Sequence, residues 1–247
     1  NDSGTSNTIF GKTAGDPDGA GDYNTFIGEL SGGGGTQTDD ADYNVGVGYY
    51  ALSALTQGTK NTAIGVGSLE DVTIGDNNTA IGFQALVDLG TAQSDDNVAI
   101  GYQAMGGAIG TEVVDDCVAI GSGALSGALD STNGADEASG TVAIGKSALA
   151  TLTSGAGNTA VGYQSLDAED AGNYSTAIGY QALSAQNVDG TVGNVAVGEK
   201  AMSSVTTGIR NVAIGREALV GGSAAATDNV AIGYHALDST GSAAVSK

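Results

Sequence analysis

Tryptophan is absent from the 247-residue chain, proline, histidine and cysteine occur once each, and aromatic residues make up only 5%. So few large rings cannot fill the core layers of an ordinary globular domain of this length. A single histidine excludes His-pair metal centres, and the lone Cys117 cannot close an internal disulfide. Stability must therefore come from backbone pairing or from partner chains. Basic residues are also scarce: 7 Lys+Arg stand against 28 Asp+Glu, for a formal net charge of −21. Nucleic acid is excluded as a partner, because phosphate binding needs a dense Lys/Arg surface. Anionic membranes are disfavoured on the same ground. No stretch reaches the ~18 consecutive apolar residues of a membrane span, and residues 1–15 lack the basic and apolar regions of a signal peptide. The chain thus reads as a mature segment or a fragment of something longer, with no membrane insertion.

Glycine is abundant instead, with 42 residues, and 40% of the chain is hydrophobic, too much for a disordered Gly-rich tract. The explanation is internal repetition. Thirteen copies of Asn-[Thr/Val]-Ala-[Ile/Val]-Gly-x-x-[Ala/Ser]-[Leu/Met] run along the chain, among them Asn78 to Leu86, Asn97 to Met105, Asn158 to Leu166 and Asn229 to Leu237. Asn7 to Gly15 and Asn24 to Gly32 keep only the first half, as expected of terminal coils grading into a cap. The register glycines are Gly11, Gly28, Gly48, Gly65, Gly82, Gly101, Gly121, Gly145, Gly162, Gly179, Gly198, Gly215 and Gly233, and six of the twelve intervals are 17 residues. The others are 18 to 24, so a coil of 17 carries loops inserted between fixed elements.

The spacing predicts a parallel β-solenoid. Thr/Val and Ile/Val sit two apart, on one face of an extended segment, with Asn and Ala on the other. The repeat Thr is expected to point inward with the Ile face. Gly after the β-branched residue marks a sharp bend, and x-x-Ala-Leu is expected to begin a second short strand. A unit this small buries too little to offset its own backbone entropy, so copies must stack. At about 4.8 Å per coil, thirteen coils give a rod roughly 60 Å long, with like side chains in ladders. Residues 1–32 read as divergent N-terminal coils, 33–237 as the β-roll repeats and 238–247 as a tail leading onward. The thin interior leaves burial incomplete, and a closed threefold assembly of identical chains is an economical way to finish it.

Asn-Thr-Ala-Ile-Gly and Asn-Val-Ala-Ile-Gly at this spacing resemble the head repeats of trimeric autotransporter adhesins of the YadA type. The fuller form at Ala99 to Met105, Ala160 to Leu166 and Ala177 to Leu183 resembles repeats of phage tail fibres. The resemblance covers nearly the whole chain. It implies a left-handed β-roll, a homotrimer, an extracellular location on a virion or bacterial surface, and attachment to a cell-surface glycan or protein receptor. The phage fibre is the favoured parent and the bacterial adhesin head the alternative. The coil length here is longer and more variable than in compact heads.

Catalytic signals have simpler explanations. Gly140 to Ser147 matches the phosphate-binding loop pattern literally, yet Gly145 is a register glycine and no helical pattern follows to supply the dipole. His235 occupies the slot of Gln103, Gln164 and Gln181, and Cys117 the slot of the repeat Asn. No catalytic residue, cofactor site or metal site is assigned, and the chain reads as non-enzymatic. Acidic clusters occur at Asp16, Asp18 and Asp22 with Gly19 and Gly21, at Asp39, Asp40 and Asp42, at Asp95–Asp96 and at Asp115–Asp116. They suit Ca2+ chemically but match no known calcium loop, so solvated loops are the preferred reading.

After the register glycine, six copies carry an aromatic residue: Tyr49, Phe83, Tyr102, Tyr163, Tyr180 and Tyr234. Such a row either seals a seam between subunits, the preferred reading, or stacks on sugars at a recognition surface. Two remoter functions are a glycan-degrading spike, which needs paired carboxylates in one groove, and an ice-binding solenoid, which needs an outward, flat Thr ladder.

Overall fold

A computed structural model describes residues 5–15, 21–33, 41–88, 93–107, 113–129, 138–221 and 224–238. Each copy of the phrase supplies one three-residue strand, from Thr8–Phe10 to Val230–Ile232, and the thirteen strands form one sheet in sequence order. Every pairing is parallel and holds the repeat register, as in Thr62↔Thr79, Ala63↔Ala80 and Ile64↔Ile81. The described residues contain no helix. The longer insertions leave this register untouched: Val98 pairs with Val118 and Val118 with Val142, although 108–112 and 130–137 lie outside the described residues. The described residues are therefore all-β, a parallel β-solenoid with one strand of the main sheet per rung.

The orientation of the strand corrects the sequence expectation. Asn and Ala face inward, while Thr/Val and Ile/Val face outward. Ala63, Ala80, Ala99 and Ala119 are fully buried, whereas Ile64, Ile81, Ile178 and Ile214 are 37–41% exposed. The cause is the width of the coil. Its interior is filled from the opposite wall by a ladder of Leu52, Leu69, Leu86, Met105, Leu125, Leu149, Leu166, Leu183 and Met202, all fully buried. The strand side contributes only a methyl group in ten of the thirteen strands, because interiors are close-packed. Ile9, Phe26 and Gly46 depart from this, and two of them show the constraint: Phe26 takes the Ala slot, and Gly46 lies in that slot one coil on. A Cβ on Gly46 would stand 3.1 Å from the Phe26 ring, and one on Gly32 at 2.6 Å.

The second half of the phrase is a correction as well. It is a succession of turns, where a second strand was expected. Gln84 and Leu86, Gln103 and Met105, and Gln181 and Leu183 have φ between 49° and 52°, in the left-handed region. That conformation costs about 1–2 kcal/mol per residue. It is offset because the alternating residues send their amides to opposite neighbours: Gln103 N–H donates to Phe83 O of the coil before (2.9 Å), and Met105 N–H to Ala124 O of the coil after (2.8 Å). The wall is thus bonded coil to coil without strand dihedrals.

A buried asparagine ladder joins successive coils. Asn61, Asn78 and Asn97 are fully buried. Asn78 Oδ1 accepts the backbone N–H of Asn97 at 3.0 Å, and Asn78 Nδ2 donates at 2.8 Å to Ser94 O, three residues before the asparagine of the next coil. Asn78→Ala strands a buried N–H and a buried C=O, at roughly 1–3 kcal/mol each. We expect a loss of on the order of 2–6 kcal/mol, read as a lower midpoint in chemical denaturation. Cys117 fits this ladder: its N–H donates to Asn97 Oδ1 (3.0 Å), and its Sγ lies 3.0 Å from Ala138 O, where an amide nitrogen would stand.

Candidate interaction surface

The outward rows of the sheet form an apolar face that runs along all thirteen strands. One row is Thr or Val, with Thr in six strands and Val in seven, so hydroxyls interrupt it irregularly. The row two residues on carries Phe10 at one end and Ile or Val in every other strand. Large members stand well in solvent, including Phe10, Ile27, Ile64, Ile81, Ile178, Ile214 and Ile232. No other described element of the chain pairs with this sheet or covers it. Sequence periodicity placed these residues together but on the wrong side. The available signal was the middle position, which is Ala in ten of the thirteen strands and so suits a narrow interior.

The aromatic row borders this face across the glycine bend. Tyr49, Phe83, Tyr102, Tyr163, Tyr180 and Tyr234 are all exposed. Neighbouring coils bring them into pairs: Phe83 and Tyr102 stack at 5.4 Å between centroids, as do Tyr163 and Tyr180, with planes within 9°. Stacked rings cover each other along the coil axis and present edges outward. A sugar lies on a ring face, so the inner faces of these pairs are already occupied. At the last coil Tyr234 meets His235 edge-on at 4.1 Å, and the Arg216 guanidinium lies 5.7 Å from its centroid. A third stacked pair, Tyr23 and Tyr43 at 5.0 Å, lies in the row just before the asparagine, a position whose residue type varies widely between copies.

The acidic residues serve the stack. Asp95 Oδ1 accepts the Asp76 N–H at 2.7 Å, Asp115 Oδ1 accepts the Asp95 N–H at 2.8 Å, and Asp42 Oδ1 accepts the Asp22 N–H at 2.6 Å. Asn173 makes the same bond to Ala156 N–H, at 2.6 Å, so the position needs an acceptor and not a charge. Partial desolvation, together with the neighbouring Asp76 and Asp115, pushes the Asp95 carboxyl above its ordinary range. Asp96 and Asp116 occupy left-handed turn positions. Among the described residues no three His, Cys, Asp or Glu side chains converge as a metal site; Asp16, Asp18, Gly19, Asp39 and Asp40 lie outside them.

The remaining sequence signals fall into repeat roles. Gly145 has φ 132° like the other register glycines, and Ser147 takes the left-handed slot, so the phosphate-loop pattern forms a bend with no helix behind it. His235 shares that slot at φ 54°, with Nε2 2.7 Å from Glu217 and Nδ1 2.5 Å from Asp238. Burial pushes the Cys117 thiol up to about 11, which keeps it protonated and unreactive at neutral pH. Exposed ion pairs link neighbouring coils, Lys12 to Glu29, Arg210 to Asp228 and Arg216 to Glu199. No protein-family model, curated protein or solved structure matches the chain.

Proposed function

We propose that this chain is a structural segment of an extracellular attachment fibre, non-enzymatic, built by copies of itself joined through the apolar sheet face. The observation that carries this reading is the outward double row of Thr/Val and Ile/Val along thirteen strands, with large members exposed. Soluble monomers rarely leave contiguous apolar patches above a few hundred Å² uncovered. A rigid repeat has the same face on every coil, so an identical chain is complementary along its whole length. Three copies close such a contact economically, which agrees with the resemblance to phage tail fibres and, as the alternative parent, adhesin heads. The aromatic row then seals the seam with its ring edges. Projecting loops, or a distal tip, present the surface that meets a host-cell glycan or protein.

Sedimentation velocity with electron microscopy of the purified chain tests this. A single oligomer seen as a rod is expected; a monomer at millimolar concentration would remove the basis for the reading. A second reading, ice binding, gains from the outward position of the Thr row. It is the weaker of the two because Val replaces Thr in seven strands and the adjacent row has no hydroxyl at all. A monomer with thermal hysteresis would favour it.

A further inference from the structure

One level of the core departs from the repeat. Three residues after the buried Leu/Met, the coils carry a second aliphatic side chain, Leu55, Val72, Leu152 or Val205, each 0–1% exposed. In two successive coils that slot holds Glu169 and Gln186, both fully buried. Their placement is the same as that of the aliphatics: Glu169 N–H donates to Leu166 O and Gln186 N–H to Leu183 O, as Leu152 N–H does to Leu149 O. The backbone is therefore the ordinary one and only the side chains differ.

The two side chains meet. Gln186 Nε2 donates to Glu169 Oε2 at 2.6 Å and to Ser175 Oγ at 3.0 Å, and Gln186 Oε1 accepts from Asn194 Nδ2 at 2.7 Å. Ser175 stands in the slot of the ladder asparagine and has no amide to donate, so Ser175 and Gln186 are matched departures within one coil. Glu169 Oε1 accepts the N–H of Gly172 at 2.8 Å and those of Ala171 and Val188 at 3.3 Å, drawing on two coils. Beside it the second sheet of the described structure forms, Gly172–Asn173 paired in parallel with Gly190–Thr191.

We propose that Glu169, Gln186, Ser175 and Asn194 are a register pin, a polar core that only one alignment of these coils satisfies. Stacked coils with near-identical ladders tolerate displacement by a whole repeat, since Leu again meets Leu and Asn meets Asn. A displaced stack, with the Gln186 coil looped out, would set Glu169 against the Val205 slot in place of Gln186, burying a carboxylate oxygen without its donor. Misalignment is thus penalised here and nearly free elsewhere. A single buried polar position fixing the alignment of an otherwise repetitive interface is known from coiled coils.

Hydrogen exchange by mass spectrometry, before and after refolding from denaturant, tests the pin in the full chain. The Glu169→Leu/Gln186→Leu variant restores the aliphatic ladder. We expect it to fold, and after refolding to give two or more exchange populations across 166–198, where the unaltered chain gives one. One population identical to that of never-unfolded protein would overturn the pin. If the double variant does not fold, Glu169→Gln is decisive. An amide cannot accept at both ends, so an NH2 must face either the N–H groups of Gly172 and Val188 or the NH2 of Gln186, and exchange within 169–194 is expected to quicken about tenfold or more while Thr79–Ile81 is unchanged. Unchanged exchange throughout 169–194 would overturn the proposal equally.

Discussion

Alanine in place of Gly82 is expected to sever the solenoid between two coils. A Cβ at this position would lie 2.4 Å from the carbonyl oxygen of Gly101, in the backbone of the next coil, and φ is +140°. Both faults act together. The conformation is open in practice only to glycine, and the obstructing atom is main chain that cannot rotate away. The geometry recurs along the ladder: Gly48 meets Gly65 O at 2.3 Å, and Gly65 meets Gly82 O at 2.3 Å. The coils approach this closely because Gly82 N–H must reach Ile64 O at 2.8 Å and Gly101 N–H must reach Ile81 O at 2.8 Å. Relieving the clash means giving up such bonds on one side. The loss should exceed about 4 kcal/mol, beyond the usual range for one substitution. Thermal unfolding followed by circular dichroism measures it. Val66→Ala, at an exposed neighbour, should stay within about 0.5 kcal/mol; equal effects from the two would discredit the glycine ladder as the source of close stacking.

Under the proposed self-association through the sheet face, two lysines there, Ile81→Lys and Ile178→Lys, should leave the protein a folded monomer. Both isoleucines point outward from the strand and are 37% and 41% exposed. Their inner neighbours Ala80 and Ala177 are fully buried and remain untouched. The coil itself therefore keeps its core, its asparagine ladder and its backbone bonds. In the proposed oligomer each substitution would exchange a buried aliphatic, worth ~1.5–3 kcal/mol, for a charge without a partner in the contact, which costs several kcal/mol more. Every copy carries the change, so the effects multiply. Light scattering gives the mass and circular dichroism the fold. An oligomer of unaltered mass would mean that copies meet through some other surface.

Much of the fold is written in the repeat. Gly at each register point, Asn four residues before it and Leu or Met four after it define a coil of 17, and the strand pairings follow that register, with Asn97 to Met105 stacked directly on Asn78 to Leu86. Spacings from 17 to 24 residues left the strand register legible, because the repeat phrase itself is unbroken on either side of each insertion. The candidate surface was only half legible. Period-two alternation shows that Thr79 and Ile81 share a face, but it is blind to which face looks inward. The usual preference for burying the larger aliphatic gave the wrong answer for these strands. The aromatic row was visible, whereas its stacking into pairs depends on which coils carry aromatics at adjacent levels.

The amino-acid sequence by itself determined the repeating unit, its parallel stacking and its rungs, because those follow from local spacing and from a coil too small to stand alone. Only the tertiary structure decided that alanine, and not isoleucine, lines the interior. That choice depends on the distance between opposite walls, which the Leu86 and Met105 ladder sets from across the coil. The same holds for Glu169 and Gln186, ordinary loop residues in the linear chain, whose contact exists only once one coil is laid on the next.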